Sequence, residues 1–271
     1  MAAGDVTVAL TANNSKKCAK SSAITDKINV GSDSSLDNIW DGPGGSINAW
    51  IKIESEGGGT QGRILDKENG VGWAIFTTGE AADKVKLELF YRWTGALAVW
   101  ITTNTVVTNN TWTHIAVTYD ADSTANNPIF YINGTKLEVG TGITESTAPV
   151  GARNSDAAQD LIISNRTAGS RQLIGEIADV QVHNCILTDD EITQTYQGTP
   201  VTRCLVSRWN FANNDYTDLF GSNDGTNTGT TIEIVDDVVA LQLESQRTSA
   251  DDTFIVHGTK SGKLYTIGIE E

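Results

Sequence analysis

The segment KVKLELFYRW (84–93) alternates without a break. Val85, Leu87, Leu89, Tyr91 and Trp93 fall on one side of an extended chain, and Lys84, Lys86, Glu88, Phe90 and Arg92 on the other. Such a run makes a strand with one inward face and one largely solvated face. Similar runs recur as DVTVAL (5–10), SINAWIKI (46–53), GWAIFT (72–77), LAVWITT (97–103), THIAVTYD (113–120) and GEIADVQVH (175–183). They are rich in β-branched and aromatic residues, bounded by Gly, Asn, Asp and Ser, and spaced by about 8–15 residues. This spacing predicts an all-β fold, an antiparallel two-sheet sandwich, rather than βαβ units.

Two local signals sharpen that prediction. FYINGTKL (130–137) places Asn-Gly between two strand-like runs, a hairpin turn in which both central residues tolerate positive φ. One short helix is expected near 188–197, with Thr188 as N-cap, Glu191 completing a capping box, and Ile192 and Tyr196 forming an apolar stripe. Gly198 and Pro200 stop it. Thr199-Pro200 is the best boundary, giving an N-terminal arm (1–20), a central domain (21–199) and a C-terminal β segment (200–271). That last segment returns to strand-like VVALQLE (238–244), TFIVHG (253–258) and KLYTIGI (263–269).

Composition narrows the partners. The chain of 271 residues carries a net charge of −15, which repels nucleic-acid backbones and anionic membrane surfaces. No window approaches the ~20 apolar residues of a membrane span, and no export signal is visible at the N-terminus. Cys18, Cys185 and Cys204 are odd in number and lack a CxxC, so reduced thiols are expected, with at most one bridge.

Four segments carry a family resemblance: KINVGSDSSLDNIWDGPGGSINAWIKIES (27–55), WTHIAVTYD (112–120), IFYINGTKL (129–137) and GEIADVQVHNCILTDDEITQTY (175–196). In this order they resemble the laminin-G-like jelly-roll domains of the concanavalin A-like lectin/glucanase superfamily. LVSRWNFANNDYTDLFGSNDGTNTG (205–229) resembles the segment that often opens such domains, here placed after the core. The tail is therefore expected to complete the sandwich of its own or of a neighbouring subunit.

The resemblance implies calcium bound by loop carboxylates. Asp33, Asp37 and Asp41 form the candidate metal set; Asp120 with Asp122, and Asp215 with Asp218 and Asp224, form two others. Ala178, where the family often has Asp, weakens the calcium reading, and each cluster also reads as ordinary solvated turns. Sugar binding needs aromatic platforms with polar neighbours, and Tyr91, Trp93 and Trp100 are the candidate ligand or interface residues; Trp50, Trp73 and Trp112 are expected to pack in the core.

No catalytic constellation is expected. Glu176 and Asp179 resemble a glucanase strand motif, yet three residues apart on a regular strand they point to opposite faces. His114, His183 and His257 are scattered, and ESEGGGTQG (54–62) lacks the Lys-Ser/Thr of a phosphate loop. The expected function is that of a non-catalytic virion accessory subunit (capsid decoration, fibre or tail-associated) made in host cytoplasm and displayed on the virion. Its partners would be other virion or surface proteins, further copies of itself and surface glycans. The alternative is an extracellular carbohydrate-binding module or adhesin.

Overall fold

The computed structural model describes residues 17–235 in full, together with the backbone of strands at 255–260 and 263–268. The predicted strands at 5–10 and 238–244 lie outside the described residues. In chain order the first strands are β1 (Lys17–Ser21), β2 (Lys27–Asn29), β3 (Gly45–Ile53), β4 (Gly62–Asp66), β5 (Trp73–Ala81), β6 (Lys84–Arg92) and β7 (Leu97–Thr102). There follow β8 (Val107–Thr108), β9 (Thr113–Tyr119), β10 (Ile129–Ile132), β11 (Thr135–Leu137), β12 (Ile143–Thr147), β13 (Ile162–Ile163) and β14 (Gly175–His183). The helix α1 (Asp189–Tyr196) precedes β15 (Leu205–Trp209), β16 (Thr226–Thr228), β17 (Thr231–Ile234), β18 (Ile255–Lys260) and β19 (Lys263–Gly268).

Two antiparallel sheets form the sandwich. One runs β11-β10-β9-β3-β14-β1-β17, with β15 also pairing β14. The other runs β12-β7-β6-β5-β4-β13-β2-β16, with β8 pairing β6. Between them lies one core, to which Val85, Leu87, Leu89 and Tyr91 of β6 contribute the inward parity of the alternating segment. Phe90, on the outward parity, is buried as well, in a small separate cluster with Ala74 and Phe76.

The C-terminal segment does not stand apart after Thr199. The compact unit is Lys17–Glu233. Val180 of β14 pairs with Trp209 of β15, and Ile28 of β2 with Asn227 of β16. These strands finish both sheets of their own chain. A second compact unit comprises residues 1–16 and 234–271; its described part is the β18–β19 hairpin.

The Asn133-Gly134 turn has both residues at positive φ, 49° and 76°, as a two-residue hairpin demands. The capping box of α1 is complete: Glu191 N–H donates to Thr188 Oγ1, and Thr188 N–H to the Glu191 carboxylate. The helix lies on the outer face of its sheet, where Ile192, Leu187 and Val201 bury Tyr131 and Ala116. Trp50 is half-buried on that face and stacks on Tyr196 at 5.7 Å, and Trp112 is half-buried too. Of the three tryptophans expected in the core, Trp73 alone belongs to it.

The thiols at 185 and 204 are not reduced: Cys185 and Cys204 form a disulfide, their Cα atoms 5.9 Å apart. Their spacing of 19 matches no motif, because the return of the chain from β14 through α1 to β15 is what brings them together. Cys18 is free and buried.

His114 is fully buried beneath α1, its Nε2 at 3.3 Å from Thr195 Oγ1. Burial pushes its pKa from 6.5 down to about 4. The folded value lies below the unfolded one, so stability is expected to be lost as pH falls from about 6.5 to about 4. Urea midpoints measured across that window should fall more steeply for wild type than for His114→Gln; parallel profiles would refute this.

Candidate functional site

Three loops meet at one end of the sandwich around an open cleft of about 650 Å³. Asn38 and Asp41 come from the β2–β3 loop, Asp122, Ser123 and Thr124 from the β9–β10 loop, and Arg153 and Ser155 from the β12–β13 loop. Trp93, at the end of β6, supplies the aromatic wall.

The core aromatics hold these loops. Trp40 packs edge-on against Trp73 at 5.2 Å and tilts against Tyr119 at 6.2 Å; Tyr119 meets Trp100 at 5.1 Å and Tyr91 at 6.5 Å. Each edge-to-face pair is worth about 0.5–1.5 kcal/mol beyond the area it buries. Their polar tips then reach outward. Trp100 Nε1 donates to Asn127 Oδ1 at 2.7 Å, Tyr91 Oη to the Asn154 carbonyl at 3.2 Å, and Trp73 Nε1 to Asp156 Oδ2 at 2.8 Å.

This corrects the predicted aromatic platform. Tyr91 and Trp100 are fully buried and act as loop anchors; neither presents a face to a ligand. Trp100 pairs directly with Leu89, so it shares the inward parity. Of the three, only Trp93 lines the cleft, and it too is largely buried, 6% exposed at the margin of the core. Its indole N–H is buried with no acceptor among the described residues.

The predicted metal set does not converge either. Asp33 caps a short 3₁₀ turn through the Ser35 N–H. Asp37 pairs with Lys67 at 2.9 Å, and Asp41 with Arg153. Burial pushes the Asp41 carboxyl upward, against the pull of Arg153. Arg153 also bonds Asp122 at 2.7 Å, and Asp122 accepts the Gly42 N–H at 3.3 Å. Asp218 instead accepts the backbone N–H groups of Arg208, Phe220 and Asn223. Among the described residues no three acidic, histidine or cysteine side chains form a metal cage.

Sequence reasoning missed Asn38 and Arg153, which line the cleft, and the buried pair Lys67 and Asp156, which is tied to Asn38 through Asp156. Lys67 is fully buried, its ammonium 2.8 Å from the Asp156 carbonyl and 3.1 Å from Asp156 Oδ1. Asn38 and Asp156 exchange hydrogen bonds, N–H to Oδ1 each way, at 2.7 and 3.1 Å. Alternation could not have found Lys67, because a register shift in β4 puts both Ile64 and Leu65 in the core.

The strand argument about Glu176 and Asp179 also needs correction. A bulge between Ala178 and Gln181 resets the alternation, with Asp179 at φ 47°. The Asp179 carboxylate therefore lies on the face of Glu176, bonding Arg208 at 2.6 Å and Gln181 at 3.2 Å. Glu176 pairs with Lys52 at 3.9 Å. Each carboxylate is engaged with its own cation.

Two packed antiparallel sheets with loops gathered around an end cleft define a lectin-like jelly roll. Residues 23–193 match the Laminin_G_3 model, and the chain belongs to the concanavalin A-like lectin/glucanase superfamily. A candidate carbohydrate binding protein from Bacteroides ovatus has the same fold, with a TM-score of 0.60 at 18% identity over 82% of this chain and 60% of that one. The heptameric SAP-like pentraxin of Limulus polyphemus gives 0.54 at 11% identity over 82% and 96%. At these identities the likeness concerns the fold alone. No curated protein matches the chain.

Proposed function

We propose that this chain is a non-catalytic carbohydrate-binding module whose saccharide sits in the end cleft. The observation that carries this reading is the composition of the cleft wall: the Trp93 indole beside the hydroxyls of Ser123, Thr124 and Ser155 and the amide of Asn38. Apolar sugar faces and their hydroxyls call for that mixture. Arg153 is committed to Asp41 and Asp122, leaving a net charge of −1 on the three groups. The cleft therefore suits neutral saccharides and disfavours acidic ones. The same pairing argues against catalysis, since neither carboxylate is free to serve as acid or base.

A glycan array followed by calorimetry tests this. Binding to a neutral glycan is expected, and Ala152→Trp, which fills the cleft from an exposed position, should weaken it at least about tenfold, or ~1.4 kcal/mol. Unchanged affinity in that variant, or binding confined to acidic glycans, would overturn the reading.

The setting we infer is a virion surface, with other virion proteins and further copies of the chain as partners; a secreted adhesin is the alternative. The Cys185–Cys204 disulfide suits exposure to an oxidising exterior in either case. The in-chain pairing of β15 and β16 removes strand exchange as a support for assembly, which leaves the separate β18–β19 unit as the candidate contact. Light scattering separates the two: a defined oligomer favours the virion reading, and a monomer at all concentrations the adhesin.

A further inference from the structure

The family resemblance implies calcium held by loop carboxylates, and the donor set of this chain does not fit it. Calcium takes six to eight oxygens at about 2.3–2.6 Å, several of them from carboxylates aimed at one point. Here Asp41 and Asp122 of the cleft, and Asp37 and Asp156 of the loops that form it, are aimed at side-chain cations. We propose that the Lys67 ammonium and the Arg153 guanidinium are tethered cations standing where a metal would stand, so that the rim is built without a divalent ion.

The Lys67 ammonium meets three oxygens: Asp37 Oδ1 at 2.9 Å, the Asp156 carbonyl at 2.8 Å and Asp156 Oδ1 at 3.1 Å. That number saturates its three N–H donors. The other donors to Asp156 are the Asn38 N–H at Oδ1 and the Trp73 indole at Oδ2, so both carboxylate oxygens are engaged. The cage thus joins the β2–β3 loop, the end of β4 and the β12–β13 loop, three segments that a calcium ion could otherwise bridge. Arg153 makes the second link, from the β12–β13 loop to Asp41 and to Asp122. A lysine stem anchors its charge covalently. No dissociation equilibrium is then involved, and the rim does not depend on the calcium concentration around it. A dication brought to Asp37 would also face the ammonium at contact distance, which opposes its entry.

Melting temperature against calcium tests the proposal, and the readout is independent of whether the cleft binds sugar. Wild-type protein stripped with EDTA is expected to melt at the same temperature with and without millimolar CaCl2, because a ligand that does not bind the native state cannot raise its stability. Lys67→Ser removes the ammonium and leaves Asp37 and Asp156 facing each other. It is expected to melt lower in EDTA and to gain a calcium-dependent rise that wild type lacks. A calcium-dependent rise in wild type would overturn the proposal, as would a Lys67→Ser protein that responds to calcium no more than wild type does. If Lys67→Ser does not fold, the wild-type titration decides alone.

Discussion

Asp156→Ala is expected to lower the free energy of unfolding by about 3–5 kcal/mol, the cost of leaving one member of a buried ion pair without its partner. Asp156 and the Lys67 side chain are both fully inaccessible to solvent. Removing the carboxylate strands the ammonium with Asp37 as its remaining charged contact, and it also orphans the Trp73 indole N–H. A buried donor left unmade adds its own desolvation cost. Asp37→Ala should cost clearly less, since the Asp37 side chain is 19% exposed and water can replace it. Urea unfolding of both variants checks the order. A loss below about 1 kcal/mol for Asp156→Ala, the range of an exposed pair, would refute the view that the cage is structural.

The expected loss also marks the limit of what the sequence made legible. Period-two runs, an Asn-Gly turn and a capping box are local devices, and among the described residues each formed where its residues stand. The inward parity of Val85 to Trp93 was equally legible, and it already spoke against a sugar platform on Tyr91, because a side chain with no exposed surface cannot stack on a ligand. Trp93, which ends the run, belongs to the same core, and only its residual 6% exposure is left for the cleft. What local patterns could not show are pairings made across the fold. Asp37, Lys67 and Asp156 are brought together by three different segments, and Cys185 and Cys204 by the return around α1. The bulge at Asp179 is a third case. One extra residue in β14 is set by its register against β3, and it inverts the face assigned by counting.

Trp209→Ala is the second large effect, and it bears on how the tail serves the fold. Trp209 is fully buried in the main core, and its indole N–H donates to the Asn223 carbonyl at 2.8 Å. Asn223 in turn donates to Ser35 and to Ser207, tying the loop between β15 and β16 to the start of the domain. Truncating a buried tryptophan costs about 3–5 kcal/mol, from lost apolar burial and the cavity left behind. A tail that merely visited a neighbouring subunit would leave the isolated domain's stability nearly unchanged on this substitution. Its unfolding midpoint would instead depend on protein concentration, since stability drawn from a partner follows mass action. For a tail that completes its own sheets, as the pairing of Val180 with Trp209 describes, the full loss should appear at every concentration. Thermal or urea unfolding of wild type and Trp209→Ala over a hundredfold range of concentration separates the cases. A midpoint that rises with concentration in wild type, together with a small effect of the substitution at the dilute end, would return the tail to a role between subunits.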